Sequence, residues 1–464
     1  RKAGLHIPRA TTRGPLLYQV LHPRGHPSGA DSLHAIRQRW LHKPSSRASR
    51  LSMVAPRNFN AVRNHPRALE GGFPVPRTWP VLDHRLGMPC YPVRVRILVA
   101  MSGGVDSSVA AAILLEEGHD VTGVTLKLWD GAATSGAHPG VAGRGSGCCS
   151  AADAADARRV ASALGIDHYV FGDTEDFAEF VVDPYVRAHA VGLTPNPCVE
   201  CNRHVKFGLL LERARRLGFD ALATGHHARV VATPRGLRVA RGADRLKDQS
   251  YVLSTLGQKV LEEVLFPVGT LTKAEVRARA AGAGLEVACK PDSQDVCFVA
   301  PGAGRARFLA ERIDLRPGTL VEAASGEVVG SVEALELVTV GQRRGLGSSR
   351  DAKRRYALKV DTASRMVLVG DATMALSAEL PISDLTWTSH PGGEVLASGG
   401  SVRVLAQASA HGQAQLGVVV DGEVRYDMPQ RLVAPGQIVA FYDPERPDEV
   451  IGAAVSSGSR VATR

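Results

Sequence analysis

Val93-Arg-Val-Arg-Ile-Leu-Val-Ala-Met-Ser-Gly-Gly-Val-Asp-Ser-Ser108 is the stretch on which the fold turns. Its first half is a short apolar run rich in β-branched residues, which predicts a buried strand over 93–100. Its second half opens Val105–Glu117, rich in Ala, Leu and Ile and followed by Gly118, which predicts a helix with a glycine stop. Between them, Gly103 and Gly104 let a bound anion approach the backbone, and the helix start points its free N–H groups at that anion. The hydroxyls of Ser102, Ser107 and Ser108 add donors, and a phosphate group suits such a turn. A Gly-x-x-x-x-Gly-Lys-Ser/Thr loop would place a lysine here. None stands in this one, so phosphate is expected to be held without that point charge.

Outward from the turn, strand and helix alternate. Asp120–Leu128 reads as a second strand and 130–149 as a Gly/Ala/Ser loop. Ser150 caps a helix to Leu164 with Asp153 in its first turn. Strand Ile166–Phe171, helix Thr174–Ala190, a Pro-rich turn at 194–197, helix Asn202–Leu217 and strand Asp220–Thr224 follow. Four alternations predict an α/β fold, a doubly wound parallel sheet with helices on both faces and its ligand at the carboxyl ends of the strands. Residues 227–257 read as a hairpin and its exit, followed by helices Gln258–Glu263 and Thr272–Ala281. Near 308–318 the period changes. Short strands are expected at 318–322, 327–332, 355–360, 365–369, 401–406, 413–420, 423–426 and 437–442, with Asp421-Gly422 the clearest turn. The resulting expectation is a catalytic domain over 91–307, a small central domain over 308–372 and a C-terminal β-barrel over 373–464. From Ser456 the chain is expected to fray.

Charge is unevenly placed. Residues 1–90 hold fifteen Lys or Arg against three acids, a net of +12; the whole chain carries +10, which leaves the body at −2. Nucleic acid bound by the body must therefore meet a local patch. The leader, rich in Arg, Pro, His and Ser and without a lasting period, reads as disordered. Two accounts of it stand open: an organelle transit peptide, and a translation start placed upstream of the true one at Met88. No apolar run approaches the ~18 residues of a membrane helix. Seven cysteines, at 90, 148, 149, 198, 201, 289 and 297, do not form a secreted disulfide framework, and a reducing cytoplasm fits them.

Thr194-Pro-Asn-Pro-Cys-Val-Glu-Cys-Asn-Arg-His-Val-Lys-Phe207 is the second informative stretch. Cys201 is expected where the turn ends and the helix starts, a place that favours a thiolate, with Arg203 and Lys206 near in sequence. The alternative is half a zinc site with Cys198, for which the adjacent Cys148-Cys149 pair is a poorly spaced second half. Cys297, in Lys290-Pro-Asp-Ser-Gln-Asp-Val-Cys-Phe298, has Asp292 and Asp295 close by. Those charges disfavour a thiolate but leave room for the more acidic persulfide; the competing reading is a small buried hydrophobe. Cys289 reads as core. His226 and His227 follow a strand end; adjacent histidines of an extended chain point apart, so they make a poor metal pair. Lys247-Asp-Gln-Ser-Tyr251 and Gly341-Gln-Arg-Arg-Gly-Leu-Gly347 are basic loops, either solvated turns or phosphate and RNA contacts.

Ser102-Gly-Gly-x-Asp-Ser107 resembles the pyrophosphate loop of the PP-loop ATP pyrophosphatases. With Gly147-Cys-Cys-Ser150, Asn196-Pro-x-x-x-Cys-Asn202, Ala223-Thr-Gly-His226, Lys247-Asp-Gln-Ser-Tyr251, Asp292-Ser-x-x-x-Cys-Phe298 and Thr339-Val-Gly-Gln-Arg-Arg-Gly-Leu346, the chain resembles the tRNA-uridine 2-sulfurtransferases, the 2-thiouridylases, over roughly residues 94 to 455. The resemblance implies a PP-loop domain and an enzyme that binds ATP, with magnesium, at Ala100, Met101, Ser102, Gly103, Gly104, Val105, Asp106 and Ser107, with Leu126 and Gly225 around the adenosine. It implies that a flipped wobble uridine is adenylated on its C2 oxygen. Sulfur arrives as a persulfide on Cys297, Cys201 acts as nucleophile, and a transient Cys201–Cys297 disulfide forms. Asn196, Pro197 and Cys198 would meet the base; His226, Lys247, Asp248, Gln249, Gln342, Ser409 and Ala410 would meet tRNA. A sulfur-donor protein is implied as a partner, and neither a bound metal nor a membrane. Two departures stand out. Many members carry an acid where this chain has Cys198, and the Arg-rich C-terminal contact falls on Ser409-Ala410, with Arg403 and His411 near to compensate. Two other classes are set against this reading: an amide-forming PP-loop ligase, which needs no cysteine pair, and a silent RNA-binding protein, which needs no phosphate loop.

Overall fold

The computed structural model describes residues 94–129, 151–292, 296–299, 304–347 and 354–460. The leader, Cys90, Cys148, Cys149, Ser150 and Asp295 lie outside these.

Strand β1 (Arg96–Ala100) is the centre of a five-stranded sheet. It pairs in parallel with β2 (Asp120–Lys127) on one side and β4 (Ala221–Thr224) on the other. β3 (His168–Gly172) extends the first side and β7 (Val264–Leu265) the second, for an order β3-β2-β1-β4-β7. The chain winds outward through β2 and β3 and then returns to the other side of β1. The switch point therefore lies between β1 and β4, where open α/β sheets bind ligands. The turn at Ser102–Gly104 leaves β1 at that point.

Side chains along β1 alternate as a strand must. Ile97 and Val99 join one apolar cluster with Val109, Ala157 and Val276; Leu98 joins the other with Val124, Phe177, Leu210 and Leu222. Each face is thus covered by helices. Helix α1 (Val105–Glu116) and α2 (Ala151–Leu164) are joined on one face by α6 (Lys273–Gly282), which opens with a complete Thr272–Glu275 capping box. On the other face lie α3, over 174–190, and α4, over 197–216, each with a π-helical stretch in its middle: Ala178–Val182 in α3 and Cys201–Leu210 in α4. A short α5 (Gln258–Leu261) precedes β7, and α7 (Gly304–Ala310) follows α6.

The expected start of α4 at Asn202 is corrected to Pro197. Proline at the first helical position needs no N–H partner, and Asn196 caps the helix, its Oδ1 accepting from Cys198 N–H at 3.0 Å. The residues that look like a turn are the helix's own opening signal. The expected start of β1 at 93 moves to Arg96, and β7 was not expected.

The hairpin β5 (Ala228–Thr233) and β6 (Gly236–Arg241) leads out of the sheet. Next comes a four-stranded mixed sheet in the order β10 (Tyr356–Asp361), β11 (Met366–Gly370), β8 (Gly318–Glu322), β9 (Val328–Val332), with its own core around Leu320, Leu335 and Val367. Six strands then close a barrel: β12 (Leu376–Trp387), β15 (Glu423–Arg431), β14 (Gln415–Val420), β13 (Val402–Gln407), β16 (Ile438–Tyr442) and β17 (Val450–Ser456). A short α8 (Gly392–Ala397) lies between β12 and β13. β12 and β17 were not expected, and Ser456 ends a strand rather than a frayed tail.

The barrel is tied to the hairpin by a buried charge. Arg238, 2% exposed, donates from Nη1 to Asp443 and Glu449, both at 2.9 Å, and from Nε to Ser389 Oγ at 3.1 Å. Tyr251 OH donates to Ile438 O at 2.8 Å, and Thr194 N–H to Pro435 O at 2.8 Å. The barrel thus braces the turn that opens α4. Among the described residues, no helix is long and apolar enough to cross a membrane.

Candidate active site

Gly103 adopts φ +70°, and a Cβ there would run into the carbonyl oxygen of Asp153 on α2. Only glycine lets the turn pass so close to a neighbouring helix. Gly104 precedes α1 in an extended conformation. Ser107 Oγ accepts from Ser102 N–H at 3.1 Å and lies 3.3 Å from Ser102 Oγ, while Ser108 Oγ donates to Gly104 O at 2.8 Å. The hydroxyls brace the loop around the helix's opening N–H groups, an arrangement that receives an anion. Gly225 lies just beyond β4, where a Cβ would strike the backbone N of Ser107, so the glycine lets β4's end pack on the glycine turn itself. Ala100, paired with Val124 and Thr224, and Leu126, two residues beyond, share the same carboxyl rim.

The loop lacks a lysine of its own, yet two reach it from far along the chain. Lys290 Nζ lies 3.0 Å from Gly103 O and bonds Asp153 at 2.7 Å and Asp156 at 2.6 Å. Lys273, only 9% exposed, donates to both oxygens of Asp106 at 2.7 Å and reaches Asp292 at 2.9 Å. No lysine belongs to the turn itself, as expected, and these two stand beside it with their ammonium groups bonded to Asp106, Asp153, Asp156, Asp292 and Gly103 O. Burial pushes the Asp106 carboxyl up, but its hydrogen bonds with His227 and Lys273 outweigh this and hold it below the usual carboxylate range. Asp292 likewise resists burial: Lys247, at 2.8 Å, and Lys273 bring it down to about 2. Arg277, at 2.8 Å, completes the group. Lys290 and Asp292 are therefore anchored by ion pairs beside the glycine turn.

Cys201 stands a full turn inside α4 and is 7% exposed, so the expected helix-start position belongs to Cys198, which is exposed. Cys201 belongs to the apolar cluster that also holds Leu126 and Phe298, and Cys297 packs against that cluster. Phe298 sits edge-on to Phe177 at 5.8 Å and to Tyr185 at 5.4 Å. The two thiols are not joined in a disulfide. A cavity of about 230 Å³ is lined by Asn196 and Pro197 from the Cys201 side and by Val296 from the Cys297 side. Among the described residues, no group of three His, Cys, Asp or Glu side chains converges as metal ligands.

Of the residues expected to meet tRNA, His226 is buried, while Asp248, Gln249, Gln342 and Ala410 are half-buried and Ser409 is exposed, each with hydrogen bonds within the chain. His226 is 7% exposed, lies 2.7 Å from Thr224 Oγ1 and packs between Phe207 and Phe266; burial, aided by Lys206 and His227, holds its pKa well below the ordinary value. Asp248 accepts from Arg241, Gly242 N–H and Ser250. Gln249 accepts from His227 N–H at 2.8 Å. Gln342 spends its amide on Thr339 N–H and Arg344 O, although Arg343 and Arg344 beside it are exposed. The carbonyls of Ser409 and Ala410 accept from Gln407 Nε2. Arg403, the expected compensation, is paired with Asp427 at 2.6 Å.

Family models described as the tRNA methyl transferase HUP domain and the tRNA methyl transferase PRC-barrel domain match residues 95–301 and 306–371. A curated relative from Chloroflexus aurantiacus, named tRNA-specific 2-thiouridylase MnmA, is 45% identical over 364 residues, covering 77% of this chain and 96% of its own. The chain belongs to the tRNA-specific 2-thiouridylase family. Relatives of the same name from Roseiflexus sp. (strain RS-1) and Acidothermus cellulolyticus are each 44% identical, over 391 and 380 residues, with 79% of this chain and 99% of theirs covered. The family's two domain matches end at residue 371, so the six-stranded barrel lies beyond them.

Proposed function

We propose that this 2-thiouridylase family member exchanges the C2 oxygen of a tRNA wobble uridine for sulfur at the expense of ATP. One observation carries the reading: Leu126, at the carboxyl rim of the sheet, and Cys201 belong to one apolar cluster, and Cys297 packs against it.

The nucleotide's phosphates would lie on residues 100–107, with Lys273 and Lys290 supplying the positive charge. Magnesium would come with the phosphates and neutralise their charge, and Asp106, now paired with Lys273 and His227, would hold it. The uridine C2 oxygen attacks the α-phosphorus; the bond to the β-phosphate oxygen breaks and pyrophosphate leaves. Oxygen, a poor leaving group, thereby becomes the good leaving group AMP. The terminal sulfur of a Cys297 persulfide then attacks C2, and AMP departs with the C–O bond electrons. The Cys201 thiolate attacks Cys297 Sγ. The sulfur–sulfur bond to the base breaks, its electron pair stays on the thiocarbonyl sulfur, and a Cys201–Cys297 disulfide results. The two thiols are oxidised and the transferred sulfur is reduced, so a dithiol reductant must reset the pair. A persulfide-bearing donor protein must reload Cys297.

Asn196, Pro197 and Cys198 are proposed against the base. Lys247, the exposed Arg343 and Arg344 beside Gln342, and Ser409 with Ala410 are proposed toward tRNA, while His226, Asp248 and Gln249 support the loops from inside. The words methyl transferase in the family descriptions set the competing reading, which needs no triphosphate turn and no second thiol. Mass spectrometry of nucleosides from tRNA incubated with the protein, ATP and a sulfide source separates them. A sulfur-for-oxygen increment on uridine, with tRNA-dependent pyrophosphate release, is expected. A methyl increment without pyrophosphate would overturn the proposal.

A further inference from the structure

His189, near the end of α3, is 2% exposed, and its Nε2 has no hydrogen-bond partner among the described residues. Buried polar atoms without a partner are rare, and the free-energy cost of each asks what it is for. The ring is well fixed. Tyr185 packs edge-on at 4.6 Å, and the backbone of Glu336 lies on the other side and favours the protonated ring. With Nε2 unpartnered, the ring proton is assigned to Nδ1, on the Glu336 side, which leaves Nε2 as a bare lone pair. Burial, then the charge of Arg305, bring the imidazole down to about 4, so it is neutral at physiological pH. So weak a base is poorly matched to proton abstraction and well suited to accepting a hydrogen bond.

The same histidine lines the cavity of about 230 Å³ between the two cysteine-bearing segments, together with Tyr185, Asn196, Pro197, Val296 and Arg305. A guest here has to present an N–H to His189 and can accept from N–H groups that remain on Arg305, whose Nη2 holds Leu337 O at 2.7 Å, and on Asn196, whose Oδ1 holds Cys198 N–H. It also has to be flat enough to lie beside Tyr185. A uracil ring does this: its N3–H sits between two carbonyl oxygens. Cytosine offers a lone pair at N3, which would face the lone pair of Nε2.

We infer that His189 is a specificity-determining residue that reads the N3–H of the target base through Nε2. This rests on the reading that the substrate is a tRNA uridine. A site built around such a bond rejects ring systems that lack the donor, because its own buried acceptor is then left unpaired.

The test uses the full chain and two tRNAs, one with uridine and one with 3-methyluridine at the target position. Thiolation and pyrophosphate release are read for both. Wild-type protein is expected to lose about 100-fold or more in kcat/KM on the methylated tRNA. His189→Ala is expected to lose roughly 10- to 100-fold on the uridine tRNA and to discriminate less between the two. His189→Gln, which keeps an acceptor, recovers part of the loss, and ATP affinity stays unchanged in all three. Equal wild-type rates on both tRNAs, or an alanine variant with full activity and unchanged discrimination, would overturn the inference. If the alanine variant does not fold, the comparison is read on the glutamine and asparagine variants. Should wild-type protein thiolate no uridine tRNA at all, the underlying function fails, and not this residue's role in it.

Discussion

The ammonium group of Lys290 sits 3.0 Å from the carbonyl oxygen of Gly103, bridging the phosphate turn to the segment that ends in Cys297. Burial opposes the charge on this lysine, but Asp153 and Asp156 outweigh it and hold the pKa above the ordinary value. The ammonium is therefore fixed and charged beside the turn. Lys290→Met removes a charge-assisted contact worth roughly 1–3 kcal/mol and leaves two carboxylates facing each other. The expected outcome is ATP affinity weakened about 10-fold or more, measured by calorimetry with a non-hydrolysable analogue. Unchanged affinity would mean that the lysine is a strut for α2 and not part of the phosphate site.

How much of this was legible beforehand depends on distance along the chain. The phosphate turn was, because a β-branched run, two glycines and an Ala-rich helix specify each other within sixteen residues. Lys273 and Lys290 were not, because nothing local marks a lysine that folds back onto Asp106 or Gly103. The start of α4 was misread because Pro197 and Asn196 look like turn residues when their role as first residue and cap is not seen. β12 was hidden by Pro381 and by Asp384, which sits at φ +48° inside the strand. β17 was hidden by Gly452-Ala453-Ala454, small residues of low strand preference, where a side chain at 452 would collide with Trp387. Those two strands pair with each other, so missing them together also hid the closure of the barrel.

The two thiols give a sharper prediction. Cys201 belongs to an apolar cluster against which Cys297 packs, while the glycine turn is braced by Ser102, Ser107 and Lys290. Cys201→Ser and Cys297→Ser should therefore each abolish 2-thiouridine formation while ATP binding and tRNA-dependent pyrophosphate release continue. Nucleoside mass spectrometry and a pyrophosphate assay on the same samples read both. Sustained thiolation by either variant over many turnovers would end the two-thiol scheme.

Arg238 joins the hairpin to the barrel through two acids that are themselves only 14% and 15% exposed. Removing the arginine leaves both acids, among the described residues, with only the exposed Arg446 as a cationic partner, 3.5 Å from Glu449 and 4.0 Å from Asp443, a loss of roughly 2–4 kcal/mol, below that of a fully unpaired buried charge. Arg238→Met should lower the thermal midpoint and loosen the barrel, exposing the 233–236 turn and 389–392 to limited proteolysis. Arg238→Lys keeps the charge without the planar fork and should fall between the two. Wild-type stability in the methionine variant would show that the barrel is held by its other contacts, such as Tyr251 on Ile438.

The histidines set the acid side of the stability profile. His119, His168, His189, His226 and His390 all have pKa values held below the ordinary 6.5, and burial is the largest cause in each. The unfolded chain takes up protons near pH 6.5 while the folded one does not until lower pH. Protonation thus favours unfolding, and stability rises with pH across this window. For His189, with a folded value of about 4, the loss between pH 7.5 and pH 5 is about 2 kcal/mol. His226 adds to it in the same direction. Depressed carboxylates do not contribute there: Asp292, at about 2, loses its share only as pH falls below the unfolded value near 4 toward 2. Urea unfolding at pH 7.5, 6.5 and 5 should show the midpoint falling throughout, with His189→Gln shrinking the drop. A midpoint that stays flat or rises on acidification from 6.5 to 5 would mean that these histidines are protonated in the folded protein.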